Sequence, residues 1–300
     1  MKSAPSVYSD ALALPRSRLS DYVELTKPRV SLLVLFTVAA GFLLASPTTP
    51  DMILLVHALV GTALVAAGAS ALNQLLERHS DALMERTEDR PLPSGRLHPV
   101  EVLLFGLAMG TLGLVYLAVA TREPWCVLVA AFTFASYVLV YTPLKSRSTL
   151  NTLAGAVPGA MPPVIGWTAC GGPLGPQVAV LFLLLFLWQV PHFLAIAWIY
   201  REDYGRAGLR MLTVDDDRGT LTARHMVLYC LTLVPVSLSP VILGQAGWGF
   251  AAGALAVGMA FLASTLGFMR ARSVAWARRV LHASLIYLPV ILVLLLLQPR

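Results

Sequence analysis

The sequence predicts an all-α, polytopic membrane protein: nine spanning helices around a central cavity, with the N-terminus cytoplasmic. Three observations carry this. Of 300 residues, 57% are hydrophobic and only 13% charged, about half the charge of a soluble domain. Nine apolar segments approach the roughly 20 residues a span requires. Basic residues fall almost entirely in alternate loops. Strand-like alternation is absent, and in lipid a helix satisfies its own backbone.

The predicted spans are Val30–Leu44, Ile53–Leu76, Val100–Ala120, Trp125–Tyr141, Leu150–Cys170, Gln177–Tyr200, Met226–Leu243, Gly249–Phe268 and Val280–Leu297. The first is short unless Thr26–Arg29 joins it. The fifth carries Gly155, Pro158, Gly159, Pro162, Pro163 and Gly166, which predicts a bent helix lining a cavity. The loops after spans two, four, six and eight, together with the N-terminal region, hold 20 of the 22 Lys and Arg residues; only Arg122 and Arg300 fall on the other side. Under the positive-inside rule that face is cytoplasmic. The excess of base over acid is thus a topology signal, and no nucleic-acid partner is expected.

Residues 1–24 read as a polar cytoplasmic tail. The stretch Met1–Tyr22 lacks the apolar core of a secretory signal, and Asp10 and Asp21 argue against a mitochondrial transit peptide. Residues 25–300 read as a single domain, since no linker divides them. Cys126, Cys170 and Cys230 are scattered in apolar segments without a CxxC or Cys/His cluster, so neither disulfides nor a zinc site is expected.

The most informative stretch is Ala71–Leu92. Asn73, Glu77 and Asp81 stand at i, i+4 and i+8, stacked along one face of a helix. Oxygen-bearing side chains in a row suit a hard cation such as Mg²⁺. Arg78, Arg86 and Arg90 follow, and guanidinium groups suit phosphate oxygens. A solvated helix end laced with ion pairs is the bland alternative. Against it, Asn73 lies at apolar depth, where a polar group usually faces a cavity.

A second charged run follows span six: Glu202, Asp203, Arg206 and Arg210, then Asp215–Asp217. Asp203 is the stronger candidate there; the triple Asp reads as solvated charge. Two such loops on one membrane side would face each other across the cavity. Within span six, Pro191 permits a kink beside His192, an intramembrane histidine that is either functional or hydrogen-bonded between helices. Lys145 and Arg147 close span four, as phosphate binders or as topology markers.

Acidic motifs with interleaved bases at a membrane face suit a diphosphate held through Mg²⁺, with an organic tail in the apolar space below. A molecule joining the two is a prenyl diphosphate. Ionising its C–O bond leaves an allylic cation, and positive groups stabilise the departing charge.

The residues also carry a resemblance. Asn73-x-x-x-Glu77-x-x-x-Asp81, followed by Met84-x-Arg86-Thr87-x-x-Arg90-Pro91-Leu92, resembles the first motif of UbiA-type intramembrane prenyltransferases. Four further runs are similar to the protoheme IX farnesyltransferase (haem O synthase) branch of that family. They are Leu25-Thr26-Lys27-Pro28-Arg29, Tyr141-Thr142-x-Leu144-Lys145, Trp188-Gln189-x-Pro191-His192-Phe193 and Tyr200-Arg201-x-Asp203-Tyr204-x-x-Ala207-Gly208-x-x-Met211. The resemblance is strong over Leu25–Met211 and topological beyond.

It implies nine helices around a central cavity; the N-terminal tail favours a bacterial inner membrane over a mitochondrial one, and the loop charges put the active-site loops on the cytoplasmic side. It implies transfer of farnesyl from farnesyl diphosphate to a vinyl group of haem B, with water added, giving haem O for haem–copper oxidases. Mg²⁺ would sit on Asn73, Glu77, Asp81 and Asp203. Arg86, Arg90 and Lys145 would hold diphosphate. Arg78, Arg147, Tyr200, Arg201 and Tyr204 complete the substrate-binding set, and His192 would contact haem. A haem A synthase or another haem-handling protein is the partner class implied. Two departures stand out. Glu77 occupies a position where many members carry Asp, and Asp203 has no second acid four residues on. An enzyme with another aromatic or tetrapyrrole acceptor, and a transporter gated by charged loops, are the competing readings.

Overall fold

The computed structural model describes residues 17–46 and 49–299, and among these every regular element is helical. The parts of the predicted tail and termini outside that range, with Lys2, Arg16, Pro47 and Arg300, lie outside the described residues.

Eight helices are long and apolar enough to cross a membrane: α2 (Pro28–Ala45), α3 (Met52–Asp81), α4 (Pro99–Thr121), α5 (Pro124–Leu144), α8 (Pro176–Ile199), α11 (Thr220–Ile242), α12 (Trp248–Ala271) and α13 (Val274–Leu296). The fifth predicted span is the exception. It forms two shorter helices, α6 (Asn151–Ala160) and α7 (Pro162–Ala169); two short helices, α9 (Arg201–Arg206) and α10 (Leu212–Asp215), lie in the loop after α8. Pro162 and Pro163 begin α7; a proline cannot donate to the carbonyl four residues back, and its ring crowds that carbonyl. The bend expected there is therefore a break.

Residues 18–24, read from sequence as polar tail, take up regular structure. Arg18–Leu25 form helix α1, capped by the Ser17 hydroxyl. Leu25 is fully buried, and Arg96 grips Asp21 at 2.5 Å and Glu24 at 3.1 Å. Gln74 Nε2 donates to the Leu25 carbonyl at 3.0 Å, tying the end of α1 to α3.

The long helices close a ring. Neighbours pack in the order α2, α3, α4, α5, the α6–α7 pair, α8, α11, α12 and α13, which returns to α2. Glycines set the closest approaches. A Cβ on Gly41 would fall on the Pro163 carbonyl oxygen, and one on Gly166 on the Val38 carbonyl oxygen, so α2 and α7 touch backbone to backbone. Large apolar side chains such as Phe261, Phe268, Tyr287 and Leu288 fill the core between α8 and α11–α13, while Leu104, Val119 and Leu231 point outward. An apolar exterior is what lipid requires.

The basic loops meet at one end. Arg96 joins the α3–α4 loop to α1, Arg206 reaches Glu85, the Arg210 amide donates to the Lys145 carbonyl at 2.8 Å, and Arg272 reaches the Arg218 carbonyl. The alternation seen in sequence is thus physical clustering. Helix α3 has 30 residues, about 45 Å at 1.5 Å per residue. That exceeds the roughly 30 Å apolar slab, so its last turns carry Glu77 and Asp81 out to this polar end.

Candidate active site

Asn73, Glu77 and Asp81 lie on α3, and each meets a cation from a different segment. Lys27 Nζ donates to Asn73 Oδ1 at 2.9 Å. Lys145 Nζ lies 2.7 Å from Glu77 Oε1. Arg90 Nη1 donates to Asp81 Oδ2 at 2.7 Å. Local structure aims each one. Lys27 has left-handed backbone, φ 48°, just before Pro28 opens α2. Arg90 returns to Asp81 because the buried Thr87 hydroxyl donates to the Asp81 carbonyl at 2.8 Å and turns the chain. Lys145 follows a π-helical segment, Ser136–Tyr141, and stands 4.6 Å from the Tyr141 ring centre. Such bulges recur at functional sites. Here the bulge lets Thr142 donate to the Tyr137 carbonyl at 2.9 Å and accept from Asn73 Nδ2 at 3.1 Å.

Electrostatics follow from this geometry. Burial pushes the Lys27 ammonium down to about 7; Arg90 and Lys145 repel its charge, and Glu77 and Asp81 support it. Burial also works against Lys145, but the Glu77 carboxylate outweighs it and holds the ammonium well above the ordinary lysine range. The pair lines a cleft of about 370 Å³ with Leu76, Ser80, Thr142 and Leu209.

The two charged loops do meet. Arg86 sits over the rings of Tyr200, 5.2 Å, and Tyr204, 5.9 Å, and reaches the Tyr204 hydroxyl at 3.4 Å. Met84, Ala197, Leu209 and Met211 pack beneath them. Asn151 Nδ2 donates to the Arg210 carbonyl at 2.7 Å and fixes the second loop on α6. Asp203 is paired with Arg206, which also contacts Glu85 at 3.2 Å. Among the described residues no three His, Cys, Asp or Glu side chains gather as a ready metal cluster.

The remaining expected residues are more dispersed. Arg78 folds back on the Leu75 carbonyl. Arg147 is exposed. Arg201 stands 4.5 Å from the Trp198 ring centre and lines a separate cleft with Glu202 and Asp217.

The donor set fits a hard cation. Asp81 Oδ1 is buried without a hydrogen-bond partner. Leaving such an atom orphaned costs about 1–3 kcal/mol, a cost that a cation bound there would relieve. Two carboxylates and an amide oxygen on one face are ligands Mg²⁺ accepts.

His192 lies on α8 with its Nδ1 2.7 Å from Ser284 Oγ of α13, and it stacks on Trp188 at 5.0 Å. The Ser284 hydroxyl spends its only proton on the Leu281 carbonyl at 2.6 Å. His192 must then donate through Nδ1–H, which leaves the lone pair on Nε2. Trp188 Nε1 donates to the Ser284 carbonyl at 2.7 Å and locks the platform.

Residues 34–286 match the UbiA prenyltransferase family. The chain belongs to that family. A protein named protoheme IX farnesyltransferase in Solibacter usitatus is 45% identical over 289 residues, covering 93% of this chain and 99% of its own. One of the same name in Salinibacter ruber is 44% identical over 290 residues, covering 93% and 98%. Among solved structures, a digeranylgeranylglyceryl phosphate synthase superposes with a TM-score of 0.78 at 18% identity over 93% of this chain and 98% of its own. A UbiA homologue from Archaeoglobus fulgidus bound to GPP and Mg²⁺ gives 0.64 at 17% identity over 92% and 99%. These structures establish the UbiA fold for this chain.

Sequence reasoning gave no site role to Lys27, Thr142, Thr87 or Ser284. For Lys27 the signal was present: a lysine before the proline that opens a span, inside a run already matched to the family. Its position also suits a topology charge, which hides the site role. Ser284 left no signal, because it acts only through His192.

Proposed function

We propose that this UbiA-family protein transfers a farnesyl group from farnesyl diphosphate to a vinyl group of haem B, giving haem O and diphosphate. The observation that carries the reading is the trio of cations held against Asn73, Glu77 and Asp81 at the polar end of an apolar bundle. The names of its relatives, at 45% and 44% identity over nearly full length, support haem B as acceptor. So does His192, whose Nε2 lone pair suits an iron.

Lys145 and Arg90 bind the diphosphate oxygens, and Arg86 adds a third contact from over its tyrosine pair. Their charge stabilises the bridging oxygen as the allylic C–O bond breaks. Asn73, Glu77 and Asp81 would hold Mg²⁺, with Asp203 as the acid of the second loop. That ion would supply further charge neutralisation on the leaving group. The vinyl π electrons form the new C–C bond to the farnesyl carbon. Water adds to the resulting cation beside the macrocycle and loses a proton, leaving the hydroxyl of haem O. His192 orients the acceptor, and the aromatic rings of Tyr137, Tyr141, Tyr200 and Tyr204 shield positive charge near the leaving group. Residues 25–300 act as one domain in a bacterial inner membrane, with this end cytoplasmic. Haem O passes to a haem A synthase or another haem-handling protein.

The test incubates the purified protein with farnesyl diphosphate, Mg²⁺ and haem B, and reads products by mass spectrometry. Farnesylated haem is expected. Its absence alongside prenylation of a phenolic acid would replace the acceptor.

A further inference from the structure

Each oxygen side chain of the Asn73–Glu77–Asp81 motif already holds a cation: Lys27 on Asn73, Lys145 on Glu77 and Arg90 on Asp81. These cations come from the start of α2, the end of α5 and the α3–α4 loop. Lys145 and Arg90 already balance the two carboxylates and Lys27 adds a third basic group on the Asn73 amide, so no negative charge is left over for a metal. That arrangement opposes a bare divalent cation twice over: its ligands are engaged, and its charge finds no counter-charge. It favours a polyanion, because ammonium and guanidinium groups bind phosphate oxygens at least as well as carboxylate. Lys145 and Glu77 line the same cleft, so an anion bound there has the ammonium in its wall.

We propose that Lys27, Lys145 and Arg90 are exchangeable counter-ions, which close the Asn73–Glu77–Asp81 ligands to a bare divalent cation and open them when diphosphate draws the three cations away. Lys27 thereby joins the diphosphate-binding residues. Metal and diphosphate bind with positive coupling, and linkage makes it reciprocal. A site that accepts metal only with its anion keeps idle divalent ions off the carboxylates. The half-free Asp81, with one oxygen on Arg90 and one unpartnered, is where the exchange starts. The inference rests on the first motif being a metal–diphosphate site, but not on the acceptor being haem.

The experiment uses the full-length protein in detergent, without haem and without turnover. Mn²⁺ binding alone is followed by electron paramagnetic resonance, and inorganic diphosphate binding in EDTA by calorimetry. In Lys145→Met, Mn²⁺ should bind at least about fivefold tighter and metal-free diphosphate at least about fivefold weaker, a shift of the size one charge-assisted contact supplies. Opposite signs are the signature. Both affinities falling, or neither moving, makes Lys145 a structural residue and overturns the proposal. Tight Mn²⁺ binding by the unaltered protein without diphosphate overturns it too. Should Lys145→Met fail to insert, Lys27→Met decides on the same two readouts, with Asn73 as the freed ligand. A failed haem assay leaves this result standing, and the reverse also holds.

Discussion

Lys27 Nζ and Asn73 Oδ1 are 2.9 Å apart across 46 residues of sequence, one before the first spanning helix and the other inside the second. The contact makes the N-terminal segment part of the site. Asn73 is almost fully buried, and its amide is shared between Lys27 and Thr142. Removing the ammonium therefore changes both the charge at the cleft and the pose of a proposed metal ligand. Lys27→Met should raise the KM for farnesyl diphosphate at least about tenfold, the equivalent of one charged hydrogen bond. Lys27→Arg should recover part of it. Steady-state kinetics at saturating haem checks this; an unchanged KM in Lys27→Met removes Lys27 from the site.

Asp81 is the acid whose replacement is most diagnostic. Asp81→Asn keeps the shape and a carbonyl oxygen for Arg90 but loses the charge. Prenyl transfer should fall at least about a hundredfold, as removal of one electrostatic contributor commonly does, while insertion and helix content stay unaltered. A transporter gated by the same loops predicts no such loss. Product formation and circular dichroism on the same sample separate the two readings.

The helical spans were legible because apolar runs and alternating charge are one-dimensional signals. The stacking of Asn73, Glu77 and Asp81 was legible for the same reason, since four-residue spacing is geometry once a helix is assumed. Three features were not. The break at Met161 depends on whether tandem prolines bend or interrupt a helix, which neighbouring α2 decides through Gly41 and Gly166. The docking of α1 depends on Arg96, 75 residues from Asp21. The pairing of Asp203 with Arg206 is a local choice among several nearby bases. Each is a matter of which partner wins in space.

Ser284 offers a test of the acceptor side. Its hydroxyl fixes His192 as the Nδ1–H tautomer. Ser284→Ala leaves that N–H without its partner, a cost of about 1–3 kcal/mol, and frees the ring to turn. Haem B affinity should drop several-fold, the Soret band of the bound haem should shift, and the KM for farnesyl diphosphate should stay constant. Ser284→Thr, which keeps the hydroxyl, should restore the spectrum. A Soret band identical in all three forms would mean that Nε2 of His192 does not meet the iron.

The α2–α7 contact gives a prediction about stability. A methyl on Gly166 would fall on the Val38 carbonyl, and one on Gly41 on the Pro163 carbonyl. Both obstacles are backbone, which cannot swing aside as a side chain can. Gly166→Ala should therefore push the two helices apart and cost about 1–3 kcal/mol, the usual penalty of overpacking. Gly249, in the first turn of α12, has open space around its missing Cβ, and alanine there should leave stability unchanged or raise it slightly. Thermal melting in detergent compares the pair directly. A Gly166→Ala protein that melts with the unaltered one would show that α2 and α7 are not in backbone contact in the membrane.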